Sequence, residues 1–316
     1  MESIIEGGIF NYHHQNKQLN PFSPLGRFQE MVARPEADID LAEAALMIAG
    51  QEYKGLNESY YLDRLDAMAA DMSLLLAGEL DPYRIIGVLN SYLYGTLGYK
   101  GNETNYADPC NSYLSDVLER RTGIPITLSL VYLEIGKRLG LPLEGVGLPG
   151  HFIVRYLKSA PKTLGRINSG HEHLEESRDD EQILVDPFNG GAILSEDDCA
   201  RLIGDAYGRR MPRDSIFIRP IGPRQFLTRM LTNLKESYVG MEDVVRALEI
   251  EEFILLLNPQ DINELRHRGM LYSRNGQRWR AIYDLQLYLA KQPDVRDAEN
   301  LRQHIRTLHK EIAIRN

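Results

Sequence analysis

Two residues in this 316-residue chain combine a catalytic side-chain type with a suggestive setting: His151 and Asp186. His151 opens a run in which Phe152, Val154 and Tyr156 alternate with Ile153 and Arg155, the period of a strand. Asp186 closes the short apolar run Ile183, Leu184, Val185 and begins a turn sequence, Asp186-Pro187-Phe188-Asn189-Gly190-Gly191. An imidazole oriented by a carboxylate is a general base. Such a base needs a thiol or hydroxyl to activate, and the candidate nucleophiles are Cys110, Thr127 and Ser129. The reaction would be acyl transfer or hydrolysis at a peptide or isopeptide bond. The same pair can instead bond to each other and to backbone, fastening two strand ends.

The elements that must position these residues are helices followed by strands. Asn111 and Ser112 are N-cap types ahead of Tyr113, Leu114, Val117 and Leu118, and Gly123 is expected to stop that helix. Pro125 suits the first turn of a second helix carrying Leu128, Leu130, Val131, Leu133, Ile135 and Leu139 around most of its circumference. Lys137 and Arg138 fall in its last turn, Gly140 lies at its C-terminal cap and Pro142 follows. Three helical faces precede it: Leu41, Ala44, Ala45, Ile48 and Ala49; Tyr61, Leu65, Met68, Ala69 and Met72; Ile85, Leu89, Tyr92 and Leu93. The fold class is α+β, a helix-rich core with a small antiparallel sheet.

A helix packed on antiparallel strands, with His and Asp at adjoining strand ends, is the papain-like and transglutaminase arrangement. Over roughly residues 38–295 the chain resembles the transglutaminase-like family whose bacterial members are called SirB-type proteins. The stretches carrying the resemblance are DIDLAEAALMIA, YLDRLDAMA, GNETNYADPCNSYLSDVLERRTGIPITLSLVYLEIGKRLGLPLEGVGLPGHFIVR, LVDPFNGG and the C-terminal tail. The resemblance puts His151 and Asp186 at the family's triad positions. It also implies a Cys about fifteen residues before Gly140, where this sequence has Pro125. Cys110 lies fifteen residues earlier still, ahead of another helix. The resemblance therefore implies a scaffold that keeps its imidazole and carboxylate without the usual Cys nucleophile, a pseudoenzyme. The resemblance further implies a role in recognition, since similar domains form part of substrate-recognition proteins.

The tail contains an internal repeat. An offset of 34 residues links Leu231 to Leu265, Tyr238 to Tyr272, Arg246 to Arg280, Ala247 to Ala281, Leu255 to Leu289 and Pro259 to Pro293. Thirty-four is the tetratricopeptide period. Two units are fewer than a free-standing array needs, so the tail is expected to dock on the core, with a final helix near 296–313 as its cap. The expected division is an N-terminal arm at 1–37, a transglutaminase-like core at 38–222 and a helical domain at 223–316. Tyr238, Tyr272, Arg246 and Arg280 are the candidate partner-binding residues.

Composition bounds the remainder. A 43% hydrophobic and 26% charged chain is ordinary for a globular protein, and a net charge of −9 argues against nucleic acid or an anionic membrane surface as partner. No apolar run approaches a membrane span, and no secretion signal opens the chain. Two cysteines fit a reducing, cytoplasmic setting. Neither His13-His14 nor the group His171, Glu172, His173, Glu175 and Glu176 has the support a metal site needs, so no metal and no cofactor are expected. The polar stretch 158–182 is a candidate lid, Arg209, Arg210 and Arg213 form a short basic patch, and the tyrosine-bearing loop 98–109 can line a cleft. The favoured reading is a cytosolic protein-binding or scaffold module that takes a protein or peptide through the cleft, the helical tail or both. The alternative is a hydrolase or acyltransferase working through His151 and Asp186.

Overall fold

The computed structural model describes residues 19–158, 182–208 and 218–315. His13, His14, the group His171 to Glu176, most of the expected lid and the arginines at 209, 210 and 213 lie outside the described residues.

Helices α1 (Pro24–Val32), α2 (Leu41–Glu52), α3 (Glu58–Leu76) and α4 (Pro82–Asn90) come first. Their starts follow capping chemistry: Ser23, Asp40, Asn57 and Asp81 each accept a backbone N–H of the first turn. The third face continues past α4 as a π-helical turn, Ser91–Thr96, whose extra residue per turn keeps Tyr92 and Leu93 buried. The sequence predicts an N-terminal arm at 1–37. Within it α1 buries Phe28, Met31 and Val32 in the main core, so the core begins earlier than 38. Without a long repeating pattern, one nine-residue helix is hard to see in sequence.

Strand β1 (Lys100–Gly101) pairs in parallel with β2 (Thr122–Gly123), on either side of the short helix α5 (Leu114–Arg120). Two local expectations change here. Tyr113, not Asn111 or Ser112, occupies the N-cap position of α5, because Asn111 is spent on the preceding loop. The helix ends at Arg121, in the left-handed region at φ 53°, and Gly123 belongs to β2.

Helix α6 (Pro125–Arg138) starts on proline and ends before Gly140, at φ 68°. It is buried along most of its length, as its all-round apolar pattern predicts. The four-stranded antiparallel sheet follows chain order: β3 (Leu143–Leu148), β4 (His151–Leu157), β5 (Gln182–Asp186) and β6 (Ala192–Leu194). Phe152, Val154, Tyr156, Ile183 and Val185 face the helical core, while Val146, Leu148, Ile153 and Leu184 pack on Cys199 and Ile203 of α7 (Glu196–Tyr207). The sheet is thus a middle layer, and its period-two pattern has apolar groups on both faces.

The tail consists of α8 (Pro223–Gly240), α9 (Val244–Leu257), α10 (Ile262–Arg274), α11 (Arg278–Lys291) and α12 (Ala298–Arg315). The first helix pair merges with the main core: Phe226 stacks edge-on against Phe152 and Phe253 against Phe28, both at 5.0 Å. The second pair sends Leu271 of α10 to the main core and otherwise forms its own apolar cluster with α12 through Ile282, Leu285, Tyr288, Leu301 and Ile305.

Candidate functional site

His151 follows the two-residue turn Pro149-Gly150 between β3 and β4, where Leu148 pairs with His151 itself. Gly150 has φ 69°, and a Cβ there would stand 3.0 Å from that of Ala206 in α7, so glycine lets the turn sit tightly. Asp186 ends β5, beside β4 in the ladder, and caps the short 3-10 turn Pro187–Asn189. The two strand ends bring His151 Nε2 to 2.8 Å from Asp186 Oδ2.

The carboxylate is 1% exposed and fully engaged. Its Oδ1 accepts the backbone N–H groups of Phe188 at 3.1 Å and Asn189 at 3.3 Å, and its Oδ2 also accepts the Asn189 side-chain amide at 2.7 Å. Burial pulls the Asp186 carboxyl up, but the bonds from His151 and Asn189 outweigh it and hold the group below the ordinary carboxylate value. An ionised Asp186 requires the proton of the neutral ring on Nε2, which leaves Nδ1 as the basic nitrogen. Among the described residues, Nδ1 has no hydrogen-bond partner, and the side chain is 11% exposed. Phe188 stands edge-on to the imidazole at 6.1 Å, and Tyr106 edge-on to Phe188 at 6.3 Å.

None of the three candidate nucleophiles bonds to this ring. Thr127 Oγ1 accepts the Ile124 N–H at 3.1 Å and donates to the Asn111 carbonyl at 2.7 Å, so it caps α6 and is spent. Ser129 is fully buried, and among the described residues its hydroxyl has no hydrogen-bond partner. Cys110 lies in the turn Pro109–Asn111, its sulfur 4.0 Å from the Tyr53 hydroxyl and its N–H on Asp108 at 3.0 Å. Burial and then the negative charges of Asp116 and Asp108 push this thiol up, the opposite of what an activated thiolate needs. Cys199, buried under the sheet, is pushed up to about 12 by burial.

The floor behind the pair was only partly readable. The turn sequence after Asp186 was identifiable, but not that Asn189 would orient the carboxylate. Gly191, at φ 75°, lies so close to Asn90 that a Cβ would collide with its side chain, and Asn90 Nδ2 donates to the Gly191 carbonyl at 2.7 Å. Of the two loop tyrosines, Tyr106 is exposed and packs on Phe188 beside His151, whereas Tyr99 is buried. Arg229, 78 residues beyond His151, was not signalled at all, yet its guanidinium donates to the His151 carbonyl at 2.5 Å and to that of Leu148. A cavity of about 250 Å³ opens between Asp186, Asn189, Leu194 and the α7 face bearing Asp198, Arg201 and Asp205.

The proposed partner residues of the tail separate into two kinds. Tyr238 is 5% exposed and shares a 2.7 Å hydrogen bond with the Tyr113 hydroxyl, so it joins tail to core and has no face left for a partner. Arg246 spans to Glu52 of α2 at 2.8 and 3.0 Å. Arg280 is exposed on the second pair and Tyr272 is half-buried beside it, with the guanidinium 5.6 Å from the ring centre. Glu251, Glu264 and His267 converge closely enough to ligate a cation. The Lys235 ammonium already stands there, 2.7 Å from Glu251 and 3.2 Å from Glu264, so a metal would meet a resident positive charge.

A helix laid on an antiparallel sheet, with an imidazole and a carboxylate at neighbouring strand ends, defines a transglutaminase-like protein. The model of a transglutaminase-like superfamily matches residues 59–232, and that of a tetratricopeptide repeat matches residues 234–306. The chain belongs to the transglutaminase-like superfamily, as a SirB-type protein with C-terminal tetratricopeptide repeats. It is 33% identical over 280 residues to a UPF0162 protein of Xylella fastidiosa (strain Temecula1), covering 86% of this chain and 91% of that one. Protein SirB1 of Salmonella typhimurium (strain LT2) is 26% identical over 258 residues, 80% of this chain and 86% of its own. F-box only protein 21 of Homo sapiens is 30% identical over 203 residues, 64% of this chain and 28% of that protein. No solved structure matches the chain. Among the described residues, no helix is long and apolar enough to cross a membrane.

Proposed function

We propose that this protein is a cytoplasmic protein-binding scaffold, in which the His151–Asp186 pair shapes a recognition cleft and performs no acyl transfer. The observation that carries this reading is the setting of Cys110, whose thiol is surrounded by Asp108, Asp116 and the Tyr53 phenol and is raised rather than activated. A proline begins the helix where the family's nucleophile would stand, and proline has no group to attack a carbonyl. The tetratricopeptide tail supports a protein as the ligand, since stacked helix pairs of this type offer a groove to a helix or an extended segment. The core and tail act as one unit in this reading, with the boundary near residue 222.

The test uses the full chain with a glutamine-bearing peptide and a fluorescent amine, together with partner capture from native lysate. The scaffold reading expects no turnover above background and capture that weakens when Tyr272 and Arg280 are both replaced by Ala. Turnover that disappears in His151→Ala would sink it.

A further inference from the structure

Arg229 is a half-buried cation without a counter-charge. Its hydrogen bonds go to two backbone carbonyls, Leu148 and His151, both from Nη2. Among the described residues no carboxylate pairs with it, and burial pulls its proton affinity down. Other sheltered cations of this chain are treated differently: Lys235 has Glu251 and Glu264, Arg268 has Asp284, and Arg138 has Glu134. A guanidinium carries five donors in a planar fork, so Nε and both Nη1 protons are left over. Keeping such a group partly out of water without an anion is costly, and the cost is recovered when an anion arrives.

The surroundings are shaped for that group. Nη1 lies 2.8 Å from where a Cβ on Gly147 would be, so glycine in β3 makes its room. The guanidinium carbon is 5.5 Å from the centre of the Phe152 ring. Tyr106 feels its charge and in turn touches Phe188, which touches His151. Glu236 also faces Tyr106 and is exposed, so water screens it. The rings of Tyr106, Phe188 and His151 thus form a series beside the His151–Asp186 pair, and the guanidinium itself holds the His151 carbonyl.

We propose that Arg229 is the carboxylate receptor of the cleft, taking an acidic side chain or terminal carboxylate of the bound polypeptide through its unspent fork. The proposal rests on the cleft being a recognition site, and it adds which chemistry is recognised. Because the same guanidinium holds the His151 carbonyl, occupancy is transmitted to the imidazole through the turn Pro149-Gly150.

The probe is sodium acetate, titrated into the full chain at constant ionic strength against inorganic phosphate, with NMR of the Arg229 Nε–H and the His151 ring. Acetate is expected to give saturable shifts of both signals. Saturation should vanish in Arg229→Gln and weaken by at least about tenfold in Arg229→Lys, which keeps charge but loses the fork. Absence of saturation in the parent chain, or saturation that survives Arg229→Gln, overturns the proposal. Phosphate saturating more tightly than acetate also overturns it. If Arg229→Gln fails to fold, Gly147→Ala decides, since the added methyl crowds Nη1 while the charge stays; unchanged acetate affinity there overturns the assignment. No acetate binding to the parent chain, with tail-dependent partner capture intact, would reject the receptor and leave the scaffold reading standing.

Discussion

The two helix pairs of the tail share a 34-residue sequence period and have different fates. Ala247 and Ala281 are both fully buried at the helix crossings, as the repeat demands. Around them the pairs diverge. In the first, Phe226, Leu231 and Phe253 enter the main core and Tyr238 bonds to Tyr113. In the second, the equivalent of Leu231 is the half-buried Leu265, and the half-buried Tyr272 donates to Glu252 at 3.2 Å. A repeat pattern fixes how two helices cross. What the outer faces do depends on what they meet, here a sheet-backed core on one side and water on the other. The first pair is built into the core, and the second packs mainly with the final helix.

That contrast can be broken most forcefully in the first pair. Phe253→Ala is expected to destabilise the whole chain by about 3–5 kcal/mol, because the ring packs on Phe28 in the shared core. Leu285→Ala, in the separate cluster of the second pair, should cost about 2–5 kcal/mol locally. Hydrogen exchange separates the two: Phe253→Ala should loosen α1 and the sheet, whereas Leu285→Ala should loosen only α10 to α12. Protection lost over the sheet in the second variant would contradict the division.

Tyr113→Phe removes one hydroxyl of a buried pair at the joint and strands the Tyr238 hydroxyl, for an expected loss of about 1–3 kcal/mol in a denaturant melt. Tyr272→Phe, at the wetter equivalent position, should cost less than about 1 kcal/mol. Equal losses would mean that the second pair is as firmly docked as the first.

The joint between the pairs should also respond to pH. Burial raises the Glu251 carboxyl well above its ordinary 4.5, against the pull of Lys235. Its folded form therefore holds a proton that the unfolded chain releases. The sign follows: this stabilisation is complete below 4.5 and is lost as pH rises from there through the neutral range. Glu264 runs the other way; bonds from His267, Glu251 and Lys235 overcome its burial, and its contribution is present above 4.5 and lost in strong acid. Glu251→Gln should flatten the neutral-range slope of Tm against pH, and an unchanged slope would place that proton elsewhere.

Much of this was legible in the chain itself. The period of α6, the alternation in β4 and the 34-residue offset each repeat a pattern over several residues, and the structure reproduces them. The His151–Asp186 contact was readable because both lie at strand ends flanked by turn formers. What escaped depends on distance or on a single local choice. Helix α1 has no repeated pattern long enough to show, and Asn111 turned away from its capping role to bond the 105 and 106 carbonyls. Arg229 belongs to a helix in the tail, and nothing in its neighbours announces that its guanidinium ends on the strand bearing His151.

The account turns on whether any thiol is poised by the imidazole. The most direct measurement is the alkylation rate of Cys110 by iodoacetamide against pH, read by mass spectrometry so that Cys199 is followed separately, in the parent chain and in His151→Ala. The account predicts slow modification that rises only in alkaline solution and is indifferent to residue 151. Rapid modification near neutral pH that slows in His151→Ala would reveal a thiolate–imidazole pair and contradict it.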